Sequence, residues 1–346
     1  MNLEAAAQLA LYRTSTLTGS GTSEGAVKGW DTRGRGRHDV APGTKGPATA
    51  TPAPVPSTAT PAPVPLHPLT PGVKVDRYTE GPLTPREQEV QERFAKQIEK
   101  APKGAVDEYR KQFQNVINPD NAKELSVDYR ADRSANASAV HEPSSWLAKQ
   151  VYKQLLEEPT KPGQYKSAFF MTGGPGVGKT TAINGNKTLS SIISNSHAVV
   201  DGTFANANSA QKKIDQALAA GHTAIVAYVH RDPSDAFENG ILKRASKVDA
   251  NGESGRTVPI SWAANSYVNV RKSLDGLVDH YKDNPNVHFV GIDNSRGMGN
   301  AKFMKYQDLP PMKDTPEELS KKFSDILEKK YADGKISQKV YLATKA

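Results

Sequence analysis

One stretch limits what this chain can fold into: residues 167–182, SAFFMTGGPGVGKTTA. Its apolar part, 168–171, reads as a short strand, the glycines as a turn, and the residues after Gly178 as the start of a helix. Gly173-x4-Gly178-Lys179-Thr180 is a complete phosphate-binding loop in the setting such a loop requires. Gly173, Gly174, Gly176 and Gly178 let successive backbone N–H groups turn inward without a Cβ clash. Those amides and the positive end of the helix cradle an anion. Lys179 is expected to reach the β- and γ-phosphates of ATP, Thr180 to place its hydroxyl on Mg²⁺, and Thr181 to join the same nucleotide site.

Composition narrows the class. The 346 residues suffice for one large domain or two small ones. No apolar run approaches the ~18 residues of a membrane span, and no apolar stretch follows a basic N-terminus as in a secretory signal. The absence of cysteine excludes disulfides, thiolate metal sites and cysteine nucleophiles. A formal charge of +8 suits anionic ligands.

Residues 1–80 read as a disordered leader rich in Ser, Thr, Pro and Gly. TATPAPVP occurs at 49–56 and again at 58–65, split by Ser57, and so many prolines deny the segment a helix or a sheet ladder. The basic patch Arg33-Gly34-Arg35-Gly36-Arg37 is short and lacks aromatics, so it reads as a solvated tail. This acid-poor leader resembles those of bacterial effectors exported by needle-type secretion systems.

An ordered domain is expected over 81–346, with a helical lead-in at 84–158, a nucleotide-binding core at 165–295 and a C-terminal helix at 315–332. Thr84-Pro85-Arg86-Glu87 is a capping box with proline at the first helical position. Val90, Phe94 and Ile98 then mark one helical stripe. A second helix is expected over 105–116, no period is visible over 118–133, and a third helix opens at Pro143. Beyond the loop, apolar strands at 198–200, 223–229 and 287–292 alternate with helices, which predicts an α/β fold: a P-loop NTPase-type parallel sheet flanked by helices. Ligands gather at the carboxyl ends of such strands, where Asp201, Arg231 and Asp293 fall.

A phosphoryl-transfer site needs a carboxylate near the acceptor hydroxyl and cations on the transferring group. Asp201 lies twenty-one residues beyond Thr180, at the end of the next strand, and is placed to act as base or metal ligand. Arg244 and Arg256 flank a loop suited to closing on phosphates, whereas Lys243 and Lys247 read as ordinary surface charge.

Together the loop, Asp201-Gly202-Thr203 at a strand end, GHTAIVAYVHRDP at 221–233 and GRTVP at 255–259 resemble the zeta-toxin kinases, over roughly 118–294. The resemblance implies a P-loop small-molecule kinase using ATP and Mg²⁺, with UDP-N-acetylglucosamine as one acceptor. It sets the family's EGT element on Asp201-Gly202-Thr203 and its catalytic arginines on Arg244 and Arg256. Zeta toxins carry their catalytic Asp between the loop and that element. Here Asn118-Pro119-Asp120-Asn121-Ala122-Lys123, with Tyr129, Arg130 and AVHEPSSWLAK at 139–149, resembles that segment moved upstream. Two assignments stay open: Asp120 is the base and Asp201 holds metal or substrate, or Asp201 is itself the base. Thr203, Lys123, His141 and Arg231 are the expected substrate-side residues. A looser resemblance, to zeta-like effectors of plant-associated bacteria, adds NAD as a second acceptor. The family also implies an antitoxin partner that occludes the ATP site, and a place in the bacterial cytoplasm or, for an exported effector, in a host cell. Two competing functions remain. One is a nucleotide-gated interaction protein with weak hydrolysis; the other, a nucleic-acid-end kinase, needs a basic groove that no dense Lys/Arg run announces.

Overall fold

The structure, a computed structural model, describes residues 69–78, 83–184, 186–247, 255–297 and 300–345. Most of the expected leader and residues 248–254 of the loop between Arg244 and Arg256 lie outside the described residues. Helix α1, Pro85–Lys100, begins at the expected capping box, with Thr84 and Glu87 bonding reciprocally, and buries Val90, Phe94 and Ile98. Each such side chain contributes roughly 1.5–3 kcal/mol by leaving water.

The next segment departs from expectation. Helix α2, Pro102–Phe113, ends before 116. Gln114 turns the chain at φ 55°, and Val116–Ile117 form strand β1. Residues 118–133, which show no period, are helical in pieces: α3 at Pro119–Lys123, then single turns at Val127–Ala131 and Arg133–Asn136. Elements this short cannot display a 3.6-residue repeat. Their signature lies in the caps, where Asn118, Ser126 and Asp132 accept bonds from the N–H groups of Asp120, Tyr129 and Ala135. Helix α4 spans His141–Glu157, so Pro143 sits inside its first turn, where a missing N–H costs nothing.

Strand β2, Tyr165–Thr172, leads through the phosphate loop into α5, Lys179–Asn184, and α6, Lys187–Asn195. Strand β3, Ser196–Asp201, helix α7, Ala207–Ala219, and strand β4, Thr223–His230, come next. A helical run then passes from Pro233–Ala236 through a π-helical turn, Phe237–Leu242, to Lys243–Ala245. Helix α8 covers Ile260–Tyr281, strand β5 Val287–Asp293 and strand β6 Lys302–Lys305. Helices α9, Pro316–Ala332, and α10, Gln338–Lys345, close the chain, α9 with the expected capping box of Thr315 and Glu318.

The six strands form one sheet in the order β1-β3-β2-β4-β5-β6, parallel except for β6. Alternation along β2 fills two cores: Ala168 and Phe170 pack with α1, α2, α4 and α7, while Phe169 and Met171 pack with α6, α9 and the π-helical turn. Register pairs Ile117 with Val200 and Met171 with Asp201. It therefore sets Asn118 beside Asp201, with Thr172 one residue further along β2, at the carboxyl edge of the sheet, where this fold class binds ligands.

Candidate active site

The phosphate loop is held from three sides. Gly173, Gly176 and Gly178 take φ values of 146°, 76° and 80°, a region closed to most side chains. Close approaches reinforce this: a Cβ on Gly174 would fall 2.3 Å from the Tyr267 ring, and one on Gly240 would fall 2.3 Å from the Gly176 carbonyl oxygen. Tyr267, from α8, donates its hydroxyl to the Pro175 carbonyl. Buried Asn294, just past β5, donates Nδ2 to the Val177 carbonyl at 2.7 Å. Neither support was identified from the sequence, because each acts on backbone atoms and leaves no motif.

The loop opens into a cavity of about 670 Å³ that collects nearly every residue expected from the sequence. Gly174, Gly176, Gly178, Lys179, Thr180 and Thr181 form one wall, with Asp201, Thr203 and Arg231 at the strand ends. Asp120, Lys123 and His141 face them, and Arg244 and Arg256 close the side. Gly173 is the exception: it packs behind the loop, where a Cβ would meet the Val229 carbonyl at 2.7 Å. Asp293 also points elsewhere, accepting from Ser295. Lys243 and Lys247 are exposed, as expected of surface charge, and both also line the cavity with Asn239 and Trp262. The π-helical turn immediately precedes Lys243 and widens the helix there, and such turns recur at functional sites.

Two carboxylates face the loop in opposite electrostatic states. Asp201 Oδ2 accepts from Asn118 Nδ2 at 3.0 Å, while Oδ1 has no hydrogen-bond partner and lies 3.7 Å from Lys179 Nζ. Burial raises the Asp201 pKa against the opposing pull of Lys179 and Asn118. Burial also acts on Asp120, but Arg256 at 2.6 Å and Lys123 at 3.0 Å outweigh it and bring that carboxyl down to about 2. Lys123 is itself almost fully buried, 3 % exposed, with Asp120 as its counter-ion. Burial and the Lys123 charge both lower the His141 pKa, which favours its neutral form.

Cations surround the remaining space. Arg231 is tied to Asp235. Arg244 is pushed down by burial and by the charge of Arg256, so an anion placed between the two arginines relieves their repulsion. Thr180 is exposed and lines the same cavity as Asp201. A hydroxyl in this position fits Mg²⁺, which keeps several waters and takes its remaining oxygens from phosphates. Among the described residues no group of three His, Cys, Asp or Glu gathers as a metal cluster.

A parallel sheet with a phosphate loop after its central strand, and a basic cavity above it, defines a P-loop protein of the kinase type. The zeta toxin family model matches residues 185–296, so that segment is similar to the zeta toxins. The matched span carries Asp201-Gly202-Thr203, Arg231, Arg244 and Arg256. The phosphate loop, Asp120, Lys123 and His141 precede it and join the site through the fold. A comparison with curated proteins finds no match.

Proposed function

We propose that this protein is an ATP-dependent kinase that phosphorylates a hydroxyl of a nucleotide-type small molecule, with NAD and UDP-N-acetylglucosamine as the first acceptors to test. The observation that carries this is Asp201, whose Oδ1 accepts no hydrogen bond and faces Lys179 at 3.7 Å beside the loop, with a pKa raised by burial. A base needs an oxygen not already committed and a proton affinity above that of a bare carboxylate. Asp120 has neither and serves as a clamp for Arg256 and Lys123.

In this mechanism the loop amides and Lys179 hold the ATP phosphates. Asp201 Oδ1 accepts the proton of the acceptor hydroxyl as its oxygen bonds to the γ-phosphorus, and the bond to the β–γ bridging oxygen breaks to release ADP. Lys179, Arg244 and Arg256 balance the charge spread over the transferring group. Mg²⁺, held by Thr180 and the phosphates, would neutralise part of that charge. A kinase that drains a central nucleotide fits a toxin or exported effector, acting in the cytoplasm of the bacterium or of a host, with an antitoxin over its ATP site.

A second reading has one supporting observation. Lys243 and Lys247 continue into a neighbouring cleft with Lys330 and Lys335, a basic path of the kind a nucleic-acid end would follow. Glu238 and Asp333 neutralise two of the four, so the small-molecule acceptor is favoured. Labelled ATP offered with NAD, UDP-N-acetylglucosamine or a 5′-hydroxyl oligonucleotide separates the two, with Lys179→Ala as control. Label on a small molecule supports the proposal; label on the oligonucleotide alone, or on no acceptor, overturns it.

A further inference from the structure

A second cavity, of about 690 Å³, lies between α4 and α7 and meets the first at Pro119, His141, Asp201, Gly202 and Thr203. Asp201 thus stands at the neck between the two. Phe204 creates the room: at φ 61°, unusual for a bulky residue, it turns the chain sharply after Thr203 and drops its ring onto Phe170, centroids 5.5 Å apart. Strain of this kind persists where the surrounding structure enforces it, commonly beside a functional site.

The far end of this cavity is basic. Tyr152 donates its hydroxyl to the Lys213 carbonyl at 2.8 Å, which joins α4 to α7 there. Lys213 Nζ meets only the Ser209 hydroxyl, at 3.0 Å, and no carboxylate pairs with it among the described residues. Lys149 and Lys153 line the same end, Lys149 also reaching Asp76 at 3.1 Å. The carboxylate besides Asp201 on the wall, Glu142, belongs to the opposite end of α4 and faces the Tyr78 hydroxyl. Eleven residues separate His141 from Tyr152 along α4, about 16 Å at 1.5 Å per residue. Lys213 lies six residues into α7, about 9 Å from its start.

We infer that this second cavity holds the acceptor, and that Lys213, with Lys149 and Lys153, selects acceptors carrying a phosphate or diphosphate remote from the hydroxyl presented to Asp201. This rests on the kinase reading for its direction, with ATP on the loop side of Asp201 and the acceptor on the other. A half-buried ammonium with no counter-ion supplies the recognition, since hydrogen bonds to charged groups are the strong ones.

The test is equilibrium binding, independent of turnover. NAD, UDP-N-acetylglucosamine and uncharged adenosine are titrated into the full chain, into Lys213→Met and Lys213→Arg, and into a Lys149→Met/Lys153→Met double variant, with thermal melting to verify folding. The expected result is that at least one diphosphate binds, that Lys213→Met weakens it about tenfold or more, that Lys213→Arg restores most of the loss, and that ATP affinity stays unchanged. The exposed double variant gives a smaller loss in the same direction. Failure of both diphosphates to bind, or wild-type affinity in Lys213→Met and in the double variant, overturns the inference. Lys213-dependent binding without phosphoryl transfer from ATP supports the cavity assignment and sinks the kinase reading instead.

Discussion

Asn118 Nδ2 donates to Asp201 Oδ2 at 3.0 Å across 83 residues of sequence. The same Asn118 accepts the Asp120 N–H through Oδ1 at 2.8 Å and so caps α3. One side chain thereby fixes both carboxylates of the site: it occupies one oxygen of Asp201, leaves the other free, and aims Asp120 toward Arg256 and Lys123.

This division of labour has a pH signature. The base must be ionised to work, so kcat/KM falls as pH drops through the Asp201 pKa, which burial sets above the ordinary carboxylate value. Asp120 stays ionised down to about 2 and contributes nothing to that limb. The acid limb should therefore persist in Asp120→Asn while the rate drops by roughly ten- to a hundredfold, the scale for misplaced groups. Loss of the limb in that variant would reverse the two roles.

The loop's backbone supports should be as exacting as its side chains. Gly240→Ala places a methyl group against the Gly176 carbonyl, and backbone must move to accept it. Overpacking of this kind costs about 1–3 kcal/mol, and the displaced loop should bind ATP at least tenfold more weakly. Calorimetric titration with ATP checks it; unchanged affinity would show that the π-helical turn does not position the loop.

Asn294 offers a second test of the same support. It is buried, and its amide is the partner of the Val177 carbonyl. Asn294→Ala leaves that carbonyl without its donor, at a cost of about 1–3 kcal/mol. A denaturant midpoint lowered accordingly, together with weaker ATP binding, is the expected outcome.

Away from the site, stability should depend on pH through a buried histidine pair. His197 and His222 stack with centroids 4.7 Å apart, their Nε2 atoms on the Leu155 and Leu156 carbonyls at the end of α4. Burial lowers both pKa values, His222 to about 4. The unfolded chain therefore binds more protons than the native one between about pH 4 and 6.5. Stability is full above that window and is lost as pH falls through it, by on the order of 3 kcal/mol for His222. Urea midpoints should drop across the window, and less steeply in His222→Gln.

What each element needs in order to be seen decides how far the sequence could be read. The loop, Asp201, and the two arginines were legible because phosphate chemistry forces residue types at fixed spacing or at strand ends. The parallel sheet was legible from apolar runs alternating with helices. The two-residue strand β1 and the four- and five-residue helices after it are shorter than any period, so the neighbourhood of Asp120 and Asp201 emerges only from the pairing of β1 with β3. Lys243 and Lys247 read as surface charge and are exposed; their place on the cavity wall follows from the fold and from no local spacing. The proposal of Asp201 over Asp120 as base rests on the ion pair of Arg256 with Asp120, which spans 136 residues and lies beyond any local pattern.

The most direct test of the central claim is phosphoryl transfer by Asp201→Asn, measured with labelled ATP and the acceptor the wild type uses, beside Asp120→Asn and with ATP affinity determined for each. The expected result is a loss of roughly 10²–10⁴-fold in transfer for Asp201→Asn, ATP affinity within about twofold of wild type, and a milder loss for Asp120→Asn. Near-wild-type transfer by Asp201→Asn, with activity abolished in Asp120→Asn, would contradict it.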